Sequence, residues 1–158
     1  MKRATKSERG AELIEFALVF PLLLFVVLGI VDFGFLFQRL EVVTNASREG
    51  ARIAVLPNYT TADVECRIAD YIRAGGVPTT PINGCLSTTS NPAVTVAPAA
   101  IPLAGPATIP GKTVTVTFTH NYLFIGGLAS WFGGGSFSTV PVTGVATMRD
   151  EIPVPAGS

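Results

Sequence analysis

A carboxylate stands at the start of the longest apolar run in this 158-residue chain. Glu15 directly precedes residues 16–31, which carry no charge, and it follows a second acid, Glu12. A carboxylate within a membrane helix costs about 2.5–3.5 kcal/mol at the bilayer centre and less near an interface, so such groups usually find a partner. A peptide cut after Gly10 would create one, because Ala11 would gain a free ammonium. That ammonium could pair with either acid, in the same chain or in a neighbouring one.

The residues before this carboxylate form a short basic leader. Its four cations are Lys2, Arg3, Lys6 and Arg9. With one acid among the first ten residues, the leader carries a net charge of +3, and the rest of the chain carries −3 with seven basic and ten acidic side chains. No basic patch outside the leader indicates nucleic-acid binding. The mean hydropathy of +0.48 is high for an ordinary soluble domain.

The apolar run is long enough to cross a membrane. A bilayer core of about 30 Å needs roughly 20 helical residues, and residues 13–37 cover that length with Glu15, Asp32 and Gly34 as interruptions. Because Lys and Arg cluster before the segment, we expect a cytoplasmic N-terminus and an extracytoplasmic remainder. Asp32 is expected at the outer interface.

Three interpretations of this segment compete. A cleaved secretory signal has an apolar region of about 7–15 residues and a small-x-small exit, whereas this segment is longer and lacks an Ala-x-Ala exit. A plain signal anchor explains the orientation, and Glu15 would then reach the cytoplasmic surface. A prepilin-like segment, cut on its cytoplasmic side after Gly10, also gives Glu15 a partner in the new ammonium of Ala11. The presence of Glu15 therefore favours this third interpretation.

The N-terminal string resembles a known family. Residues 9–16 read Arg-Gly-Ala-Glu-Leu-Ile-Glu-Phe and lead into the apolar run. They are similar to the start of TadE-like pseudopilins, which are minor pilins of the tight-adherence (Flp, type IVc) pilus system. The resemblance continues through residues 45–52 and returns weakly at residues 145–151. It covers about the first 55 residues well, and TadF-type and TadG-type proteins share the layout.

The resemblance implies a processing site and a role. A prepilin peptidase would cut between Gly10 and Ala11, guided by Glu12 and by the pair Glu15 and Phe16. The product would be a structural minor subunit, with no catalytic activity and no cofactor, that acts in pilus assembly and surface adhesion. Its partners would be other pilins or pseudopilins, an inner-membrane assembly platform and membrane lipid. It would lie in a bacterial inner membrane with its C-terminal domain periplasmic or extracellular, or in the surface pilus itself.

An uncleaved, single-pass signal-anchored binding module outside the membrane is the alternative function. Either way, three parts are expected: a leader at 1–10, an N-terminal helix at 11–56 and an extracytoplasmic α+β domain at 57–158. The periodicity predicts that the helix extends to about residue 55. A stripe of small residues near its end would be covered by the domain's own sheet or, alternatively, by neighbouring subunits: Ala46, Ser47, Gly50, Ala51 and Ala54.

The extracytoplasmic part predicts a short second helix and a small antiparallel sheet packed on the long helix. The second helix should start at residues 60–63, where a hydroxyl cap is followed by an acid, and end at Gly75 and Gly76. The alternation of apolar and polar residues predicts strands at 91–97, 113–121 and 140–149. Residues 98–109 should form an extended loop, because their prolines cannot donate to a sheet.

The apolar residues 122–135 are too few to span a bilayer. We expect them to cover the core, and the alternatives are that they dip into the outer membrane surface near Trp131 or contact a partner.

Cys66 and Cys85, the only two cysteines, favour a disulfide in an oxidising compartment. Their spacing matches no redox or metal motif. His120, the sole histidine, is expected to be structural, because no nucleophile motif accompanies it.

Overall fold

The structure, a computed structural model, describes residues 5–80, 85–103, 106, 108–127 and 139–150. It has two helices followed by three strands: α1 Thr5–Ala54, α2 Thr61–Ala74, β1 Ala93–Pro102, β2 Thr108–Asn121 and β3 Thr139–Arg149. The strands form one sheet in the order β1-β2-β3. The predicted α+β class, with a long N-terminal helix, a short second helix and a small antiparallel sheet, is confirmed.

The chain divides into two compact units. The first unit comprises residues 1–35 and 121–139, and the second comprises residues 36–120 and 140–158. The first therefore contains the apolar part of α1 together with the segment between β2 and β3. The second contains residues 36–54 of α1, which we call its outer part, together with α2 and most of the sheet.

In the second unit, α2 is defined at both ends by its local sequence. The Thr60 side chain accepts from the Asp63 amide, and the Asp63 carboxylate accepts from the Thr60 amide and hydroxyl. These two hydrogen bonds to the carboxylate hold the pKa of Asp63 below its ordinary value, and the bond from the hydroxyl has the larger effect. At the other end, the Gly75 amide donates to the Tyr71 carbonyl, and Gly76 has a positive φ of 72° that glycine adopts without strain. Both predicted ends are confirmed.

The core of the second unit lies between the outer part of α1, α2 and one face of the sheet. Its largest buried apolar side chains include Ile68 and Ile72 from α2 and Val114, Val116 and Phe118 from β2. The small residues of α1 face this core: Ala46, Ser47, Gly50, Ala51 and Ala54 are buried. The chain itself therefore covers this stripe, as predicted, and the stripe is not a surface for other subunits.

The sheet is longer than predicted. Residues 98–102 and 108–109, which were expected in a loop, belong to strands, because β1 and β2 pair from Ala93 opposite Thr117 out to Pro102 opposite Thr108. Since β1 is an edge strand, a proline there can leave its missing N–H on the open side without breaking the ladder. On β2 and β3, the Thr113 and Thr147 hydroxyls lie 2.7 Å apart, and those of Thr117 and Thr143 lie 3.3 Å apart.

In the first unit, α1 presents apolar side chains outwards. Residues 10–27 are all exposed, including Leu18 at 76% and Leu22 at 67%. Pro21 lies within the helix without ending it. Within the described residues, α1 is the one helix long and apolar enough to cross a membrane, with a mean hydropathy of 2.8 over its most apolar window. A single membrane anchor is the role that these properties support.

Candidate functional site

The residues of the predicted processing site lie together on exposed helix. Gly10, Ala11, Glu12, Glu15 and Phe16 all belong to α1 and are exposed. A Cβ atom added to Gly10 would meet no atom within 4 Å. Because Ala11 and Glu15 are four positions apart, they occupy the same helix face, with about 5–6 Å between their Cβ atoms. Gly10 and Ala11 are therefore both accessible, and Glu15 lies one helical turn beyond Ala11 on the same face.

Glu15 makes no ion pair with any residue that the structure describes. The residues on either side of Glu15 in the sequence are apolar and exposed, Ile14 at 72% and Phe16 at 63%. The Phe16 ring stacks on Phe20, with 5.3 Å between their centroids. The surface therefore carries two carboxylates, Glu12 and Glu15, at the edge of an apolar helix, which suits pairing with an external cation.

A second carboxylate on the same helix has a different environment. Asp32 is only 1% exposed, and it accepts hydrogen bonds from three consecutive backbone amides. Its Oδ1 lies 3.1 Å from the Leu123 nitrogen, and its Oδ2 lies 2.9 Å from that of Phe124 and 2.7 Å from that of Ile125. Bonds from several amides satisfy an ionised carboxylate well. Asp32 therefore fastens residues 123–125 to α1.

Side chains reinforce this attachment. The Phe33 and Tyr122 rings meet edge to face at 6.2 Å between centroids. Ile125 lies beside Gly29, because its Cδ1 is 3.9 Å from where a Cβ atom would stand, an ordinary contact distance. The described part of the apolar segment 122–135 thus packs on α1 within the first unit. Residues 128–135 lie outside the described residues, and the expectation that the segment covers the core stays a prediction.

Sequence reasoning missed the role of Asp32 and placed it simply at an interface. A signal was present, because Asp32 is the only charge between Glu15 and Arg39. A lone acid in an apolar helix needs donors. No sequence rule, however, assigns backbone amides from 91 to 93 positions away.

The two cysteines are joined. Cys66 on α2 forms a disulfide with Cys85, which lies ahead of β1. Both belong to the second unit. In the chain-entropy model, closing a loop of this size contributes about 3 kcal/mol. The disulfide ties α2 to the segment that leads into the sheet.

His120 is buried beside an arginine. It is 2% exposed, and Arg39 Nη1 contacts its Nδ1, while the guanidinium lies 5.4 Å from the centroid of the Phe118 ring. Because a guanidinium only donates, Nδ1 accepts, and the neutral ring then carries its proton on Nε2. This arrangement holds the outer part of α1 against β2, in line with a structural histidine.

A shallow groove of about 310 Å³ also lies between α1 and α2. Its walls are formed by Glu41, Val42, Asn45, Tyr71, Ala74 and Gly75. Among the described residues, no three His, Cys, Asp or Glu side chains are grouped closely enough to hold a metal ion.

The N-terminal helix matches a family model. Residues 10–52 match the model of the TadE-like protein family, and this match confirms the resemblance drawn from residues 9–16. No curated protein and no solved structure matches the chain.

Proposed function

Because residues 10–52 are TadE-like, we propose that this protein is a minor pseudopilin of a tight-adherence (Flp) pilus. In this proposal a prepilin peptidase removes residues 1–10, and the mature subunit acts structurally in pilus assembly and surface adhesion. Its partners are other pilins or pseudopilins, the inner-membrane assembly platform and lipid.

One observation carries the proposal. The family match begins at Gly10, the residue before the proposed cut, and includes Ala11, Glu12, Glu15 and Phe16. All five are exposed on one helix. The helix surface beyond them stays exposed and apolar, so the part of the chain that the structure describes leaves it open to lipid or to other subunits.

The geometry suggests how processing would enable assembly. After the cut, α1 would begin at Ala11, and its two acids would lie near the new N-terminus, where the helix dipole favours negative charge. The new ammonium would itself be unfavourable at that end and would gain from a nearby carboxylate. In low-dielectric surroundings such a pair is far stronger than in water. Glu15, exposed and unpaired in the described structure, can accept the ammonium of its own or a neighbouring subunit.

The proposed layout follows from the same features. The leader stays in the cytoplasm, α1 crosses the bacterial inner membrane at about residues 13–37, and residues 57–158 lie on the periplasmic or extracellular side. The basic leader supports this orientation. The disulfide of the second unit supports it independently, because disulfides persist in oxidising compartments.

Replacing Glu15 tests the pairing. We expect Glu15→Ala to be cut after Gly10 to a large extent but to be lost from sheared pili, because the neighbouring ammonium loses its proposed acceptor. The measurement is immunoblotting of membrane and pilus fractions from the native host. Glu15→Asp, which keeps the charge, should retain most of the incorporation.

Normal amounts of the Glu15→Ala subunit in a functional fibre would remove the pairing mechanism. If the natural chain is also uncut and absent from pili, the protein is instead a signal-anchored binding module. The two failures are distinguishable, because only the second leaves the leader attached.

A further inference from the structure

The proposed function does not say whether residues 122–125, which Asp32 fastens to α1, lie in water, in lipid or against a partner. We propose that residues 122–125 are embedded in the outer leaflet of the membrane, where Asp32 holds them at a fixed depth on α1. This inference requires that α1 crosses a membrane, but it does not require cleavage or entry into a fibre.

The depth follows from the helix. At 1.5 Å per residue, Asp32 lies about 25 Å along the helix axis from Glu15. If Glu15 marks the inner edge of a hydrocarbon core of about 30 Å, Asp32 and its three amide donors lie just inside the outer edge. The next charge along the helix is Arg39, so five apolar or small residues and one glutamine, residues 33–38, still separate Asp32 from it.

The exposed side chains at this level are apolar. Leu123 is 69% exposed and Phe124 is 38% exposed. On α1, Val31 and Phe33 are also exposed, at 40% and 48%. This surface is continuous with the apolar surface of the membrane helix. Lipid is therefore the occupant that the structure favours, because the same medium already surrounds the adjoining helix.

The hydrogen bonds between Asp32 and residues 123–125 lower two free-energy costs of membrane burial, that of unpaired backbone amides and that of a carboxylate. Backbone outside a helix or barrel is tolerated at membrane depth only where its amides find partners in the protein. Residues 123–125 find theirs in the Asp32 carboxylate. The carboxylate would itself be expensive among lipid tails, and the same three donors satisfy it. Each group thus makes the other tolerable in the outer leaflet.

A tryptophan placed in the segment tests its location. The probe is Leu123→Trp in the full chain, with the single native tryptophan removed by Trp131→Phe. In vesicles of phosphatidylcholine brominated on the acyl chains, we expect the probe to lose most of its emission, more with bromine near the headgroup than near the chain end. The matched control is Tyr59→Trp, at a half-exposed position of the second unit, and it should keep its emission.

Asp32→Ala tests the fastening. We expect the amides of residues 123–125 to be protected from hydrogen exchange in nanodiscs of the natural chain and to lose most of that protection in the variant. The depth-dependent difference in quenching should also shrink. Asp32→Asn keeps one acceptor oxygen and should fall between the two.

An unquenched probe with protected amides would overturn the lipid proposal and would indicate a surface for a protein partner. Strong quenching and protection that both survive Asp32→Ala would overturn the role of Asp32. Neither outcome bears on cleavage after Gly10, which has its own readout.

Discussion

Gly10→Ala is expected to abolish removal of the leader. In a bacterium that also expresses an active prepilin peptidase, the variant should keep its first ten residues, whereas the natural chain should begin at Ala11. The proposed reason is that the peptidase recognises the backbone at a position where it leaves no room for a side chain. The measurement is intact-protein mass spectrometry of both proteins purified from membranes.

The structure makes this variant a clean test. A Cβ atom at position 10 meets nothing within 4 Å, so the substitution does not disturb the chain's own packing. Alanine also favours helix over glycine by about 1 kcal/mol. Gly34→Ala is the matched control, because position 34 is another site on α1 with open space around it. Normal cleavage of Gly10→Ala would show that glycine is not recognised there.

Gly144→Ala is expected to destabilise the second unit strongly. Gly144 lies on β3 where the strand passes directly against the backbone of α1. An added Cβ atom would stand 2.7 Å from the Val43 carbonyl oxygen and 2.9 Å from the Thr44 Cα atom. Backbone atoms cannot rotate away as a side chain can. We therefore expect a cost of about 3 kcal/mol, the upper part of the usual range for overpacking.

Thermal unfolding of the purified full chain in detergent measures this effect. We expect Tm to fall by at least about 10 °C for Gly144→Ala, read from the near-ultraviolet circular dichroism of the packed domain. Val145→Ala is the matched control, because Val145 is 57% exposed on the same strand and should lose less than about 1 kcal/mol. Equal Tm values for the two variants would mean that β3 does not approach α1 this closely.

Much of the second unit was predictable because its signals are local. Thr60 and Asp63 form a capping box within one helical turn, and Gly75 ends the same helix. The alternation along β2 placed Val116 and Phe118 on the buried side. These predictions depend only on neighbours within a few residues, where helix caps and strand periodicity act.

The features that sequence reasoning missed depend on distant partners. The proline content predicts a loop at Pro98, but its position on an edge strand, where it pairs with Lys112, makes it compatible with a sheet. The sequence predicts Asp32 at an interface, whereas it is buried and accepts hydrogen bonds from amides about 90 residues away. Gly144 lies inside the predicted strand 140–149, where a glycine can mark a bulge or a close backbone approach, but the sequence does not say which backbone approaches it.

The first residue of the mature protein shows whether this chain is processed as a pilin. Terminal sequencing of the chain purified from its native host membranes and sheared pili, without added peptidase, is the measurement. If a prepilin peptidase cuts after Gly10, the mature protein starts Ala-Glu-Leu-Ile-Glu-Phe, from Ala11. A protein that still carries residues 1–9 in both fractions would contradict this cleavage.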